Sequence, residues 1–450
     1  MQYTPHKYQH RGIELLTKDT GGAGLLLDPG MGKTVVTLCA FDILKDAGHA
    51  NKMLVIAPIK PMYGTWRQEA EKWDHLQHLK FSVVHGGNKL EALNDDADIY
   101  LINPEGVQWL CDQAKWPEFD VLCVDESTKF KSSSSKRFKS LKKHLPSFSY
   151  RWILTGTFAP NGLLDLFSQV YLMDLGNSLG KYVTHYKNRY FHQTGFGGYT
   201  YEPFPQAADE IAKMISPMTL RLNAEDYLDM PEFNKIIRPV ELPEDALKKY
   251  KEVEKEFIAE LTDGTIVASN AAAAGTKCRQ MANGAVFNED RDVLAVHDAK
   301  LQALEEIVEE TNGKPLIILY EFTHDRDRIM NMLGKSAVCI TGVSGRKYEI
   351  MQQDFNAGKI PYLVMHSGSS HGLNIHGACH HMVWFSVTWN LEWYIQAVDR
   401  LYRQGQNSSM VLCYILVANK TLDERVVQVL GNKTKVQNDV HQMLMGEHNV

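Results

Sequence analysis

The sequence has no Cys-x-x-Cys pair among its seven cysteines, no apolar run of 18 residues and no excess of positive charge. Each absence excludes something. Cysteines at 39, 111, 123, 278, 339, 379 and 413 are too scattered for a zinc ribbon or a disulfide framework, and several sit in apolar, strand-like runs as small core residues. Histidines 371, 376, 380 and 381 span a loop and a strand start without the spacing of a tetrahedral site. No transmembrane helix is expected, and Met1-Gln2-Tyr3-Thr4-Pro5-His6 lacks the apolar core of a signal peptide. A cytoplasmic protein is expected, nuclear in a eukaryote or in the host cytoplasm if viral. A formal net charge of −6 gives no global pull toward nucleic acid, so any polyanion-binding surface has to be local. What is present is 450 residues, 44% hydrophobic and 23% charged, enough for two large α/β domains or three smaller ones around sizeable cores.

One more absence frames the main motif. A full phosphate-binding loop asks for glycine five residues before Gly32, and Leu27 stands there. The shorter form Gly30-Met31-Gly32-Lys33-Thr34 is intact, between the apolar run Leu25-Leu26-Leu27 and the helically spaced Val35, Val36, Leu38, Phe41 and Leu44. In a strand–glycine loop–helix unit, free backbone N–H groups and the helix's positive end converge on one spot. Lys33 supplies a cation for the β/γ-phosphates and the Thr34 hydroxyl a ligand for Mg²⁺. A nucleoside triphosphate uses all three, so ATP and Mg²⁺ are the expected cofactors.

Along the chain, apolar runs at 53–57, 81–84, 99–102, 121–124 and 152–154 alternate with helical stretches, the pattern of a parallel sheet covered on both faces. Trp66 and Trp73, seven apart on one helix, read as core packing. The run ending at Val124 leads into Asp125-Glu126. In a triphosphate-binding fold, Asp125 holds Mg²⁺ through its water shell and Glu126 orients and deprotonates the attacking water. Lys131, Lys136 and Arg137, with serines 132–135 between them, suit phosphate contacts that read no bases. The Thr155-Gly156-Thr157 turn offers hydroxyls that could link the acidic pair to a nucleic-acid track. Gln9, ahead of the loop, has one donor and one acceptor for an adenine edge. From about 170 to 240 the pattern loosens into an excursion with a glycine and aromatic loop at 195–201. A charged helix over 244–260 and an alanine-rich stretch follow as a connector, and a second α/β pattern starts near Leu301 with runs at 316–320, 337–340, 362–365, 382–385 and 411–415 and no second phosphate loop. Arg400 and Arg403 are three apart, which predicts one helix face whose guanidinium forks grip a phosphate.

Taken together, residues 5 to 430 resemble the motor core of superfamily-two helicases, most closely the Swi/Snf-type branch of double-stranded DNA translocases. Pro5–Gln9 looks like the adenine-reading Q motif, Asp28–Thr34 like motif I, 57–73 like motif Ia, Asp125-Glu126 like motif II and 154–157 like motif III, with Asn161 following. Ser370–Asn374 is similar to motif V, and Gln396–Gln406 matches motif VI nearly letter for letter. Thr128 stands where motif II usually has histidine, a residue that links hydrolysis to movement in relatives. The resemblance implies two RecA-like lobes, each a mainly parallel sheet with helices on both faces: 1–240, a helical connector 241–297, and 298–450. It implies nucleotide contacts from Gln9, Asp28, Gly30, Met31, Gly32, Lys33, Thr34, Gly372 and Gln396. It implies metal contacts from Thr34 and Asp125, catalysis by Lys33, Asp125, Glu126, Arg400 and Arg403, and nucleic-acid contacts from Lys131, Lys136, Arg137, Thr155, Ser369 and Ser370. The expected activity is ATP hydrolysis coupled to movement along double-stranded DNA. A strand-separating helicase for DNA or RNA, and an ATP-gated DNA scaffold without turnover, are the alternatives.

Overall fold

A computed structural model describes all residues except 19–20, 115, 195–199, 263–267, 289, 371–372, 374, 378 and 447–450. It divides into two units, Met1–Tyr227 with Lys433–Val450, and Leu228–Asn432.

The first unit is built on a seven-stranded sheet: β1 Gly22–Leu27, β2 Met53–Ile56, β3 Phe81–Val83, β4 Ile99–Ile102, β5 Val121–Asp125, β6 Tyr150–Leu154 and β9 Thr219–Leu222, in the order β3-β4-β2-β5-β6-β1-β9. Every pairing is parallel. β1, β2 and β4 are buried at every position, which is why their sequences are apolar without alternation. In register, Leu25 lies beside Leu154, and Asp125 beside Leu154 from the other side. The C-terminal ends of β1, β5 and β6 therefore come side by side, the edge where open α/β sheets bind ligands. Between β6 and β9 the excursion forms helices and the antiparallel hairpin β7 Phe191–Thr194 with β8 Thr200–Pro203. The glycine-rich residues 195–199 at its tip lie outside the described residues.

The second unit is built on a six-stranded parallel sheet: β10 Glu232–Val240, β13 Leu316–Tyr320, β14 Ala337–Cys339, β15 Tyr362–His366, β16 His381–Trp384 and β17 Met410–Ala418, in the order β10-β17-β16-β13-β15-β14. A short hairpin, β11 Ala285–Phe287 with β12 Val293–Ala295, accompanies it. β10 pairs with β17 along its whole length, so the second unit begins at Leu228, ahead of the expected boundary at 240. The connector helices Glu244–Thr262 and Ala268–Asn283 belong to this unit, where Leu242, Tyr250, Cys278, Met281 and Ala418 form their shared core. The last helix, Leu422–Gly446, buries Val426 and Leu430 in the second unit's core, and its residue Leu444 counts among the first unit's core residues. Among the described residues no helix is long and apolar enough to cross a membrane.

Candidate nucleotide-binding and catalytic site

In the first unit, β1 delivers the chain to Asp28, and the turn that follows holds Gly30 at φ 85° and Gly32 at φ 80°. Left-handed backbone of this kind favours glycine. The helix Lys33–Asp46 begins immediately afterwards with no acidic residue in its first turn, so its positive end faces the loop uncompensated. Lys33 Nζ donates to the carbonyls of Leu27 (2.7 Å) and Asp28 (3.3 Å), which holds the ammonium at the base of the loop.

Gln9 sits behind the loop. Its Oε1 accepts from the Tyr3 hydroxyl (3.0 Å) and the His6 amide (2.9 Å), while Nε2 donates to the Met31 carbonyl (3.3 Å), which also accepts from Tyr8 (3.2 Å). Both lone pairs of the amide oxygen are engaged, so Gln9 braces the loop at Met31 instead of offering a free acceptor to a base edge. Asp28 is likewise occupied: its carboxylate pairs with Arg221 on β9 (2.8 Å) and accepts from the Ala224 amide (2.9 Å). Arg221 also donates to the Leu26 carbonyl (2.8 Å), tying the edge strand to the loop.

Asp125 ends β5 beside this loop. Burial raises its carboxyl above the usual range, opposed by the nearby Lys33 ammonium and by a hydrogen bond from Trp66 Nε1 (3.1 Å). Trp66, expected as core packing, is fully buried and also orients the acid. Glu126 follows at φ 55°, an uncommon left-handed conformation for a side chain of this size. Ser127 then donates to Gln169 Oε1 (2.6 Å), whose Nε2 donates to the carbonyls of Phe158 (2.8 Å) and Asp165 (2.9 Å). Gly156 completes the cluster: a Cβ there would lie 3.2 Å from Pro29 Cδ. Thr128 is buried.

A hydrated Mg²⁺ keeps several waters and takes one or two carboxylates plus substrate phosphates, so a lone strand-end acid such as Asp125 is compatible with it and a cluster of acids is not required. Among the described residues no group of three or more His, Cys, Asp or Glu side chains is placed to hold a metal.

In the second unit the helix predicted to carry both arginines, Leu391–Val398, stops short of them. Arg400 and Arg403 lie in the tight turns that follow, where Tyr402 N bonds the Val398 carbonyl and Arg403 N the Leu401 carbonyl. They are still neighbours. Burial lowers the Arg403 pKa, and the Arg400 charge lowers it further, with Asp399 opposing. Arg400 Nε donates to the Gln396 carbonyl (2.9 Å) and Nη1 to the Leu373 carbonyl (3.3 Å), which fixes its fork. Gln396 itself is buried, its Nε2 3.5 Å from Glu392 Oε1.

Several expected contacts lie elsewhere. Gly372 is outside the described residues. Thr155 is fully buried and its hydroxyl is committed to the Thr157 carbonyl and amide, so it anchors a turn and does not reach a phosphate. Ser370 is fully buried too, which removes it from a surface track, while Ser369 is half-buried. Lys136 is exposed, and Arg137 lies 3.5 Å from Glu105. Residue patterns missed Trp66, Gln169 and Arg221; the one available signal was an arginine inside the apolar run Leu220–Leu222.

The description SNF2-related domain matches residues 8–287, and Helicase conserved C-terminal domain matches 299–405. "Putative protein p41" of Acyrthosiphon pisum secondary endosymbiont phage 1 is 36% identical over 458 residues, covering 97% of each chain. "Uncharacterized ATP-dependent helicase MG018" of Mycoplasma genitalium is 27% identical over 96% of this chain, which spans only 41% of that protein. "Putative ATP-dependent helicase/translocase YwqA" of Bacillus subtilis is 23% identical, and the chain spans 49% of it. A solved structure, "Sulfolobus solfataricus SWI2/SNF2 ATPase core in complex with dsDNA", is 22% identical over 98% of this chain and 93% of that one, with a TM-score of 0.45. On the strength of the domain match over more than half its length and of the phage relative, the chain belongs to the SNF2-related family of helicase-type, nucleic-acid-dependent ATPases.

Proposed function

We propose that the chain couples ATP hydrolysis to translocation along double-stranded DNA without separating the strands. The observation that carries the chemistry is the Lys33 ammonium held at the base of the glycine loop, near enough to Asp125 at the end of β5 to oppose the rise of its carboxyl, with Glu126 next in a left-handed backbone conformation. Lys33 and the loop amides bind the β/γ-phosphates, and Thr34 and Asp125 hold Mg²⁺, which when bound neutralises charge on those phosphates. Glu126 orients the attacking water and takes its proton. Arg400 and Arg403 are the second unit's contribution, stabilising charge on the transferred phosphoryl group. Lys131 and Lys136 contact DNA phosphates, which carry no sequence information, so binding is non-specific and falls steeply with salt.

The test is displacement of a third strand from triplex DNA in the presence of ATP. Displacement with duplex-stimulated phosphate release is expected. Glu126→Gln lowers turnover by about 10²–10⁴, and Lys33→Ala abolishes it. Hydrolysis stimulated by single strands or RNA but not by duplex would replace translocation with strand separation, and absence of turnover in the unmodified chain would leave an ATP-gated scaffold.

A further inference from the structure

From 127 to 164 and again from 175 to 201 the sequence contains no Asp or Glu, in a chain whose net charge is −6. The fold brings these two acid-free stretches together. The helix Lys136–Lys142, capped by the Ser135 hydroxyl (3.3 Å to the Phe138 amide), ends at a lysine whose Nζ donates to the Lys181 carbonyl (3.2 Å) and lies 4.1 Å above the Tyr171 ring. Lys142 is thus a structural pin. Beyond it Lys139 and Lys143, four apart, remain exposed.

The second stretch forms the helix Val183–Tyr190. Its inner face is locked: Tyr186 and Tyr190 are buried in the first unit's core, and the Tyr186 hydroxyl donates to the Leu163 carbonyl (2.6 Å). Its outer face carries His185 and Arg189, four apart, and Lys181 lies just ahead of the helix before the extended Tyr182; all three are exposed. Tyr182, 62% exposed, stands beside them with its ring 5.4 Å from that of His185. Lys181 and Arg189 at the two ends of an anchored helix, next to a second helix with Lys139 and Lys143 one turn apart, make a preorganised platform for a polyanion.

We infer that Lys139, Lys143, Lys181 and Arg189, with the His185 ring between the last two, form a second duplex-DNA contact on the first unit, gripping phosphates. The inference rests on the duplex-DNA reading above. A row of phosphates matches the platform because its four cations are spread over two adjoining elements, whereas Lys and exposed Arg side chains without acceptors beside them favour phosphate over base edges. Such a contact keeps the chain on its track between power strokes without adding sequence preference.

The test is a salt series of dissociation constants for random-sequence duplex DNA, with a single-stranded oligonucleotide in parallel. Lys181→Ser with Arg189→Ser should weaken duplex binding by about tenfold or more at low salt and make the slope of log K against log salt shallower by about 2, since each phosphate contact contributes about 0.9. His185→Lys should act in the opposite direction, steepening the slope by about 1. These side chains are exposed, so unfolding temperatures should match the parent's. Unchanged affinity and slope in the double variant overturn the inference, as does a change confined to single strands. If the unmodified chain binds no duplex at all, this contact and the translocase reading fall together. If it binds duplex and the variant is weakened but no triplex is displaced, the contact stands and translocation alone falls.

Discussion

At the scale of single residues, Gly30 and Gly32 look equivalent in sequence and are not. Both hold left-handed backbone, yet a Cβ on Gly30 meets nothing within 4 Å, while one on Gly32 would sit 2.5 Å from Gln9 Nε2. Gly30→Ala should cost only the backbone term, about 1–2 kcal/mol. Gly32→Ala should cost that and also push Gln9 off the Met31 carbonyl, with loss of nucleotide binding. Unfolding midpoints and nucleotide affinity of the two variants check this, and equal behaviour would show that Gln9 does not brace the loop. A second residue-scale prediction concerns His297. Burial pushes its pKa down from 6.5 to about 4, and the neutral ring bridges the Met281 carbonyl at Nε2 (2.9 Å) and the Ala299 amide at Nδ1 (3.3 Å). A folded-state pKa below the unfolded one means stability fully present above 6.5 and lost as pH falls toward 4. His381, also lowered to about 4 by burial and by His380, has the same sign. Stability should therefore drop between about pH 6.5 and pH 4.5, and His297→Leu should shrink the drop even if it lowers stability throughout.

At the scale of elements, the second unit is cross-tied by a charge pair that no sequence pattern announces. Lys300, fully buried on the helix Ala299–Glu310, lies 2.6 Å from Asp423 near the start of the last helix and donates to Asn283 Oδ1 (2.7 Å) at the end of the connector. Asn283 Nδ2 in turn donates to Asp325 (2.9 Å). Lys300→Met leaves Asp423 buried and unpaired, so a loss of about 3–5 kcal/mol is expected, and Lys300→Met with Asp423→Leu should recover most of it. Denaturant midpoints of the three proteins decide, and a double variant as unstable as the single would mean that the lysine matters through Asn283. The same elements show what the sequence could reveal. The strands β1, β2, β4, β5, β13, β15 and β16 are legible because burial along all or most of their length demands continuous apolar runs. The edge strands β9 and β10 are not: β9 contains Arg221, and β10 alternates exposed and half-buried positions and carries Pro239, which only an edge tolerates.

At the scale of the whole molecule, the candidate site was legible where chemistry dictates local sequence and opaque where it depends on distant partners. Lys33, Asp125 and Glu126 each follow from a strand end and a turn. Trp66 on Asp125, Arg221 on Asp28 and Gln169 under Ser127 join residues 42 to 193 positions apart, a distance over which no periodicity carries information. The arginine pair is open to a kinetic test. The Arg400 charge lowers the pKa of Arg403, and the Gln396 and Leu373 carbonyls hold the Arg400 guanidinium in one orientation. If both serve the transferred phosphoryl group, Arg400→Ala or Arg403→Ala should lower duplex-stimulated turnover by up to about 10³–10⁵ with nucleotide affinity nearly unchanged. The double variant should be little worse than the weaker single, because groups acting as a unit are not additive. Phosphate release and nucleotide binding measured side by side decide the matter. Weakened binding with turnover intact at saturation would place the arginines in ground-state capture of the nucleotide, and additive losses would show that they serve separate steps.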